Sequence, residues 1–443
     1  MWHEWKDEEL SKDPRYKLLF IRSFGEAESE FMEKGVFGRK GIETLTQRYM
    51  PVKVDAEERP DIFLRYALKT TPTVIILTRD GKIIGGGNFC DYDTFIKFMV
   101  ELGTLITKQK HIIENIAAED IKEDDEENFS EPESEFINQV SSSIPHLLDK
   151  ILNSSLISPK ILFLGLDFFI KNGDEAKARK VIELLSKAED KIEGGLFSSQ
   201  SFENPTKFST QKSSLINAKY ALLLKKFYEK FKDEEINKKF AQQFEFLKTF
   251  YNQNFFINKI AEDEEYYKST KSIRDIRQKP QRDERLFFDL NLEIAEILVE
   301  MGEIEDARKI TDYVISELVE VSGDEIKIFH SNKKDTFNLL CDVSQGIITL
   351  YKIYKETKEE KYRKLIAKFE KVLNSKKGDV LYFDFNKNGF GALKKKKIDI
   401  FANIKVSKYF EFIGEKERAE KIKRLLLPYA MTKDTFAFLY ALL

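Results

Sequence analysis

Two textures divide the chain: a first stretch in which short apolar runs alternate with amphipathic pattern, and a longer second stretch whose period is helical. In the first, Lys17–Ile21 (KLLFI), Val52–Asp55 and Thr73–Leu77 (TVIIL) read as strands, because apolar and β-branched residues run together between turn signals. Glu26–Tyr49 predicts a helix broken at Gly35, Gly38 and Gly41, and Asp61–Leu68 a short helix. Asp80-Gly81 turns the third strand into a fourth, Lys82–Ile84. A closing helix starts at Asp91, with Phe95, Phe98, Met99 and Leu102 on its apolar stripe. From Phe136 onward strand signals almost vanish. Ile161–Phe169 and Ala176–Ile192 are typical helical runs, the first preceded by a Ser158-Pro159 start signal. Gly173-Asp174 between them is a stop followed by an N-cap, and the step recurs at Met301–Glu303 and Ile413–Glu415.

The order β-α-β-α-β-β-α is that of a thioredoxin-like α/β domain, expected over residues 1–110. Glu119–Glu135 has ten acidic residues in seventeen, a density that disfavours a packed core, so residues 111–135 read as an acidic linker. Residues 136–443 predict about twelve helices in six antiparallel hairpins. Closing six hairpins into a ring buries the inner helices and leaves no open end, so the second domain is expected to be an all-α (α/α)6 toroid.

Composition narrows the function classes. Of 443 residues 42% are hydrophobic, ample for more than one core. The 73 basic and 76 acidic residues nearly cancel, so no global field favours nucleic acid or an anionic membrane. Two cysteines, Cys90 and Cys341, exclude a disulfide scaffold and a cysteine-built zinc site. No apolar run approaches the ~20 residues of a membrane helix, and the start MWHEWKDEEL is polar and acidic. A cytoplasmic protein without membrane or nucleic-acid partners is expected, its Lys/Glu-rich composition like that of heat-adapted proteins. Neither a cofactor motif nor a metal-ligand spacing occurs, so no cofactor and no metal are expected.

Candidate chemistry is sparse. Thr71-Pro72 precedes the third strand, where a cis proline would leave a backbone edge for an extended peptide. Cys90 starts the closing helix, where a lone cysteine usually packs, and Cys341 lies in a helical apolar run and reads as packing. His330 stands in a predicted loop near the ring mouth and is a second-tier candidate. Tyr266, Tyr267, Phe287 and Phe288 offer stacking surface but read as core, and Lys394–Lys397 as a solvated basic loop.

Lys53–Ile62 (KVDAEERPDI) resembles the KVD-x-EERPD-I signature of the YyaL-type, or spermatogenesis-associated, thioredoxin-like family, through Asp55, Glu57, Glu58, Arg59, Pro60 and Asp61. That family carries a CHWC motif about two dozen residues upstream; the matching Ser23–Glu33 has no cysteine, which removes dithiol exchange. The family also carries a toroid like that of glucosamine epimerases and six-hairpin glycosidases. Its R-x-x-P-x-x-D-x-K segment and following WNGL helix are similar to Arg277, Pro280, Asp283, Arg285 and Asn291 here. L-E-D-Y-A reappears as Leu340–Ser344 with Asp342 kept, and a late aspartate as Asp399, followed by Asn403. The PHFEKMLYDN motif is replaced by Pro205–Asn217, without its His and Glu. The resemblance therefore implies a redox-inactive binding or scaffold protein that holds a sugar-like molecule or a protein segment in the ring. Arg277, Asp283, Asn291, Asp342 and Asp399 are its candidate ligand residues. The competing reading is a carbohydrate epimerase, isomerase or hydrolase using Asp283, Asp342 and Asp399; a third is non-redox peptide binding at Thr71-Pro72.

Overall fold

The computed structural model describes residues 2–109, 111–113, 115, 123–126, 129, 131–152, 159–198, 209–433 and 435–442. Eleven of the 25 residues of the acidic linker, and Pro205–Phe208 of the replaced motif, lie outside them. The chain separates into two units, one comprising Met1–Asp125 with Phe383–Ile398, the other Glu126–Tyr382 with Asp399–Leu443. Phe383–Ile398, expected in the helical domain, groups with the first unit, and the expected linker is divided between the two units at Asp125–Glu126.

In the first unit, α1 (Asp7–Lys12), β1 (Tyr16–Arg22), α2 (Ala27–Glu30, continued by a π-helical turn Phe31–Val36), α3 (Ile42–Thr46), β2 (Tyr49–Asp55), α4 (Pro60–Tyr66), β3 (Thr73–Leu77), β4 (Ile83–Gly87) and α5 (Tyr92–Lys108) follow in order. The sheet order is β2-β1-β3-β4; β1 runs parallel to β2 and antiparallel to β3, and β3 antiparallel to β4. Because side chains alternate along β1, Leu18 and Phe20 enter one core with Met32, Phe95 and Met99, while Leu19 and Ile21 enter another with Trp5, Ile62 and Tyr66. The fourth strand extends through Gly85–Gly87, which residue preference hides. A Cβ at Gly86 would lie 2.5 Å from the Val74 carbonyl oxygen, so the strand passes there only as glycine.

The signature residues serve this unit's architecture. Asp55 Oδ1 accepts the N–H of Glu57 at 3.1 Å, and Ser23 Oγ donates to Glu57 at 2.7 Å. Pro60 opens α4, and Arg59 pairs with Asp61 in a buried fork at 2.9 and 2.8 Å, while Glu58 is also buried. Arg65 and Tyr66, one turn further along α4, hold Phe383–Ile398. The Arg65 guanidinium meets Asp384 Oδ2 at 3.1 Å and donates to the carbonyls of Ala392, Asp384 and Lys395. Tyr66 Oη donates to Gly81 O and accepts from Ala392 N–H. Phe390, Ala392 and Leu393 thereby complete the core around Trp5 and Tyr66. Within the run expected to be solvated, Lys397 is mostly buried and pairs with Asp124 at 2.9 Å.

The second unit alternates outer and inner helices. The outer set is α6 (Ser134–Leu152), α8 (Glu175–Ser186), α10 (Glu234–Lys248), α12 (Ile304–Leu318), α14 (Glu360–Ser375) and α16 (Lys416–Lys433); the inner set is α7 (Pro159–Lys171), α9 (Ser214–Phe231), α11 (Phe288–Glu300), α13 (Leu340–Thr357), α15 (Ile400–Phe412) and α17 (Thr435–Leu442). Each inner helix packs on the next, and α17 returns to α7, closing a six-membered ring. Outer helices α8 to α16 each pack on the inner helix before them, and α6 shares a core with α7 through Ile144 and Leu148. At the inner-to-outer turns Gly173, Gly302 and Gly414 take positive φ of 73°, 82° and 91°, the left-handed stop that glycine adopts without strain.

Three inner helices carry the same device at their fourth residue. Asn217, Asn291 and Asn403 each accept from the backbone N–H and donate to the carbonyl of one residue in the preceding segment: Leu196, Phe256 and Tyr382 respectively. Each amide also donates to the carbonyl one turn back, of Ser213, Phe287 and Asp399. A short side chain bearing both donor and acceptor reads a backbone unit as a neighbouring strand would.

Candidate functional site

All six inner helices line a cavity of about 400 Å3 at the ring centre. Inner helices are mostly apolar because they are covered on nearly every side, and α11 (FDLNLEIAEILVE) shows the exception: Asp289, Glu293, Glu296 and Glu300, spaced four, three and four apart, form one acidic stripe. The last three line the cavity together with Asp167. Five lysines face these four carboxylates: Lys160, Lys219, Lys226, Lys405 and Lys408.

The charges are paired in series. Glu293 lies between Lys219 and Lys405 at 2.6 and 2.8 Å; Glu296 takes Lys352 at 2.6 Å and the Gln345 amide at 2.8 Å; Glu300 takes Lys352 at 2.6 Å and Lys226 at 3.4 Å. Burial pushes the Glu293 carboxyl up, but the two ammonium groups outweigh it and hold it well below the usual carboxylate range. Burial likewise raises Glu300 and Asp167, and their lysines outweigh it, so both sit below their ordinary values. Lys408 has no carboxylate within 4 Å among the described residues; its ammonium lies 5.5 Å from the Tyr440 ring centre. Phe401 packs edge-on against Tyr440 at 5.0 Å, and with Phe163 and Phe436 these rings supply the apolar wall.

One helical turn toward the N-termini of α11 and α13, on the faces that carry Glu293 and Gln345, stand Asp289 and Cys341. Folding joins them to His330 and Asp342: one donor atom from each of the four lies within 4.8 Å of all the others. His330 and Asp342 are buried, and Nδ1 of the ring is 2.9 Å from Asp342 Oδ1. An ionised carboxylate only accepts, so it keeps the proton on Nδ1 and orients the imidazole. The loop bearing His330 is itself fixed, since its carbonyl accepts from Phe288 N–H at 2.8 Å and its N–H donates to Thr336 O at 3.2 Å. Asp289 is near enough to Lys405 to help keep that ammonium charged, which ties the cluster to the cavity.

The residues named from sequence scatter around this centre. Asp342 lies in it. Asp283 is buried under the Arg285 fork at 2.6 and 2.7 Å and accepts from Asn258. Arg277 pairs with Glu265 at the surface, Asn291 clips Phe256, and Asp399 caps α15 through Ala402 N–H. Tyr266 and Tyr267 flank the Arg274 guanidinium, not the cavity. Cys341 stands within a set of metal-ligating residue types that sequence spacing does not reveal, because its members come from two helices and a loop. The cavity's ion pairs were missed as well; the acidic stripe of α11 was the available signal. In the first unit the Thr71–Pro72 bond is cis, and the Asn88 amide donates to the carbonyls of Thr70 and Pro72, so the chain itself occupies part of that edge.

No helix among the described residues is long and apolar enough to cross a membrane. No family model and no curated protein matches the chain. Solved structures similar to it include a cellobiose 2-epimerase from Bacillus thermoamylovorans, at 12% identity and TM-score 0.45, over 63% of this chain and 76% of that one. A D-mannose isomerase matches at 11% identity and TM-score 0.45, over 63% and 77%. A GH76 α-mannanase from Bacteroides thetaiotaomicron matches at 11% and 0.41, over 62% and 73%. The ring itself is read from the helix neighbours within this chain.

Proposed function

We propose that the ring is a carbohydrate site: it takes a small, hydroxyl-rich, sugar-like molecule in its central cavity and acts on it by proton transfer, as a sugar isomerase or epimerase does. One observation carries this reading, the oriented His330–Asp342 pair, in which Asp342 lies one helical turn from Gln345, a residue lining a polar cavity with an aromatic wall. Cavities of a few hundred Å3 suit small metabolites, and alternating charged and aromatic lining suits a molecule with hydroxyl edges and C–H faces. With Nδ1 held by Asp342, a neutral His330 has Nε2 as its basic atom, the arrangement a general base requires. Glycosidic hydrolysis is the weaker branch. It needs one carboxyl protonated as acid beside a second carboxylate, whereas Glu293, Glu300 and Asp167 are all held ionised by lysines.

The β-α-β-α-β-β-α order and the KVDAEERPDI segment support a thioredoxin-like first unit related to the YyaL-type family, without dithiol activity since Ser23–Glu33 has no cysteine. A second reading, binding without turnover, is favoured by the loss of the His and Glu of the PHFEKM-type motif.

The test is a thermal-shift panel of monosaccharides, amino sugars and sugar phosphates on wild type and Lys408→Ala, followed by proton NMR of each hit in D2O. A ligand at about 100 times its Kd adds roughly 2.7 kcal/mol of stability. Loss of the hydrogen next to the sugar carbonyl, abolished by His330→Gln, is the expected result. A shift without exchange would leave the binding reading, and a flat panel would refute the carbohydrate site.

A further inference from the structure

We infer that Asp289, His330, Cys341 and Asp342 form a binding site for a zinc-class divalent cation at the N-terminal turns of α11 and α13. The inference stands on donor chemistry and spacing and does not need the carbohydrate reading; a bound cation would take up His330, so cation binding and a general-base role for that imidazole exclude each other. Imidazole, thiolate and carboxylate are the three ligand types zinc takes from proteins. Bonds of about 2.0–2.3 Å in a tetrahedron set the donors roughly 3.3–3.8 Å apart. The 4.8 Å outer limit of the set exceeds that range, so closure needs side-chain adjustment; with Asp342 holding the proton on Nδ1, Nε2 of His330 would be the ligating nitrogen. Charge argues the same way. Two carboxylates lie within 4.8 Å of each other, Asp342 is fully buried, and no lysine or arginine lies within 4 Å of Asp289 among the described residues. A divalent cation offsets that repulsion and lowers the pKa of the Cys341 thiol so that it binds as thiolate.

The supports are fixed from outside the cluster. His330 is anchored by two backbone hydrogen bonds, Asp289 accepts from Leu290 N–H at 2.7 Å, and Cys341 and Asp342 ride on the first turn of a buried helix. Metal binding would release the thiol proton to solvent and change no oxidation state.

The full-length protein, stripped with chelator and dialysed, is titrated with Co2+ and then Zn2+. One equivalent of Co2+ is expected to give tetrahedral visible bands and a near-ultraviolet thiolate-to-cobalt band, both displaced by Zn2+. Cys341→Ser should remove the near-ultraviolet band while Cys90→Ser keeps it, and Asp289→Asn should weaken binding at least about tenfold. Far-ultraviolet circular dichroism verifies that each variant is folded. Absence of saturable binding overturns the inference, as does a thiolate band that survives Cys341→Ser or disappears with Cys90→Ser. Because no sugar is present, failure here is distinct from failure of the carbohydrate reading.

Discussion

Glu293→Gln is the sharpest probe of the ring. The substitution keeps size and hydrogen-bonding capacity but removes the one negative charge between Lys219 and Lys405. Only 16% of the Glu293 side chain and 15% of Lys405 are exposed, so water replaces the lost carboxylate poorly. Removing one partner of a buried ion pair costs about 3–5 kcal/mol. With an unfolding entropy of about 2.1 cal/mol/K per residue over roughly 300 residues, that corresponds to a fall in Tm of about 5–8 °C. Scanning calorimetry measures it at pH 7. Glu293→Gln/Lys405→Met should recover part of the loss, since the stranded ammonium is gone, and the double-mutant cycle isolates the pair. The pH dependence has a fixed sign. Because the folded carboxyl lies below its ordinary value of 4.5, Glu293 stabilises fully above that pH and loses its contribution progressively as the pH falls further. The mutant's deficit should therefore shrink below pH 4.5. A loss under about 1 kcal/mol at pH 7, or one that does not change on acidification, would refute the reasoning and mean that the triad is solvated.

Two further outcomes follow from the backbone clips and from α4. Asn403→Ala strands the buried N–H and carbonyl of Tyr382, each costing about 1–3 kcal/mol, so denaturant midpoints should fall and exchange of the Tyr382 amide should accelerate while that of Leu196, clipped by Asn217, does not. Arg65→Met removes a guanidinium only 1% exposed together with its ion pair to buried Asp384, an expected loss of about 3–5 kcal/mol, with limited proteolysis moving to Phe383–Ile398.

What was legible in the sequence is what has a local cause. The strands of the first unit announce themselves as apolar runs such as KLLFI, and the glycine-acid steps at Gly173, Gly302 and Gly414 mark helix turns because a left-handed stop and an N-cap are both local needs. The site was not legible as a whole. Asp342 and His330 stood out singly, yet their meeting with Asp289 and Cys341 is a property of ring closure. Asp283, Asn291 and Asp399 drew attention through a family resemblance, and in the structure each holds backbone or a guanidinium. The acidic stripe of α11 was readable by period, but its inward direction depends on a ring that surrounds it. Nothing in Phe383–Ile398 declares which core it will enter.

That excursion has a consequence for synthesis on the ribosome. The first unit's opening stretch is finished at Asp125, but Phe390, Ala392 and Leu393 emerge only after the 257 residues from Glu126 to Tyr382 have been made. At 5–20 residues per second the wait is roughly 13–50 s. During that interval Trp5 and Tyr66 lack their covering residues, and the nascent chain carries a binding surface for its own later segment. The protein finished first in order is thus among the last to be sealed.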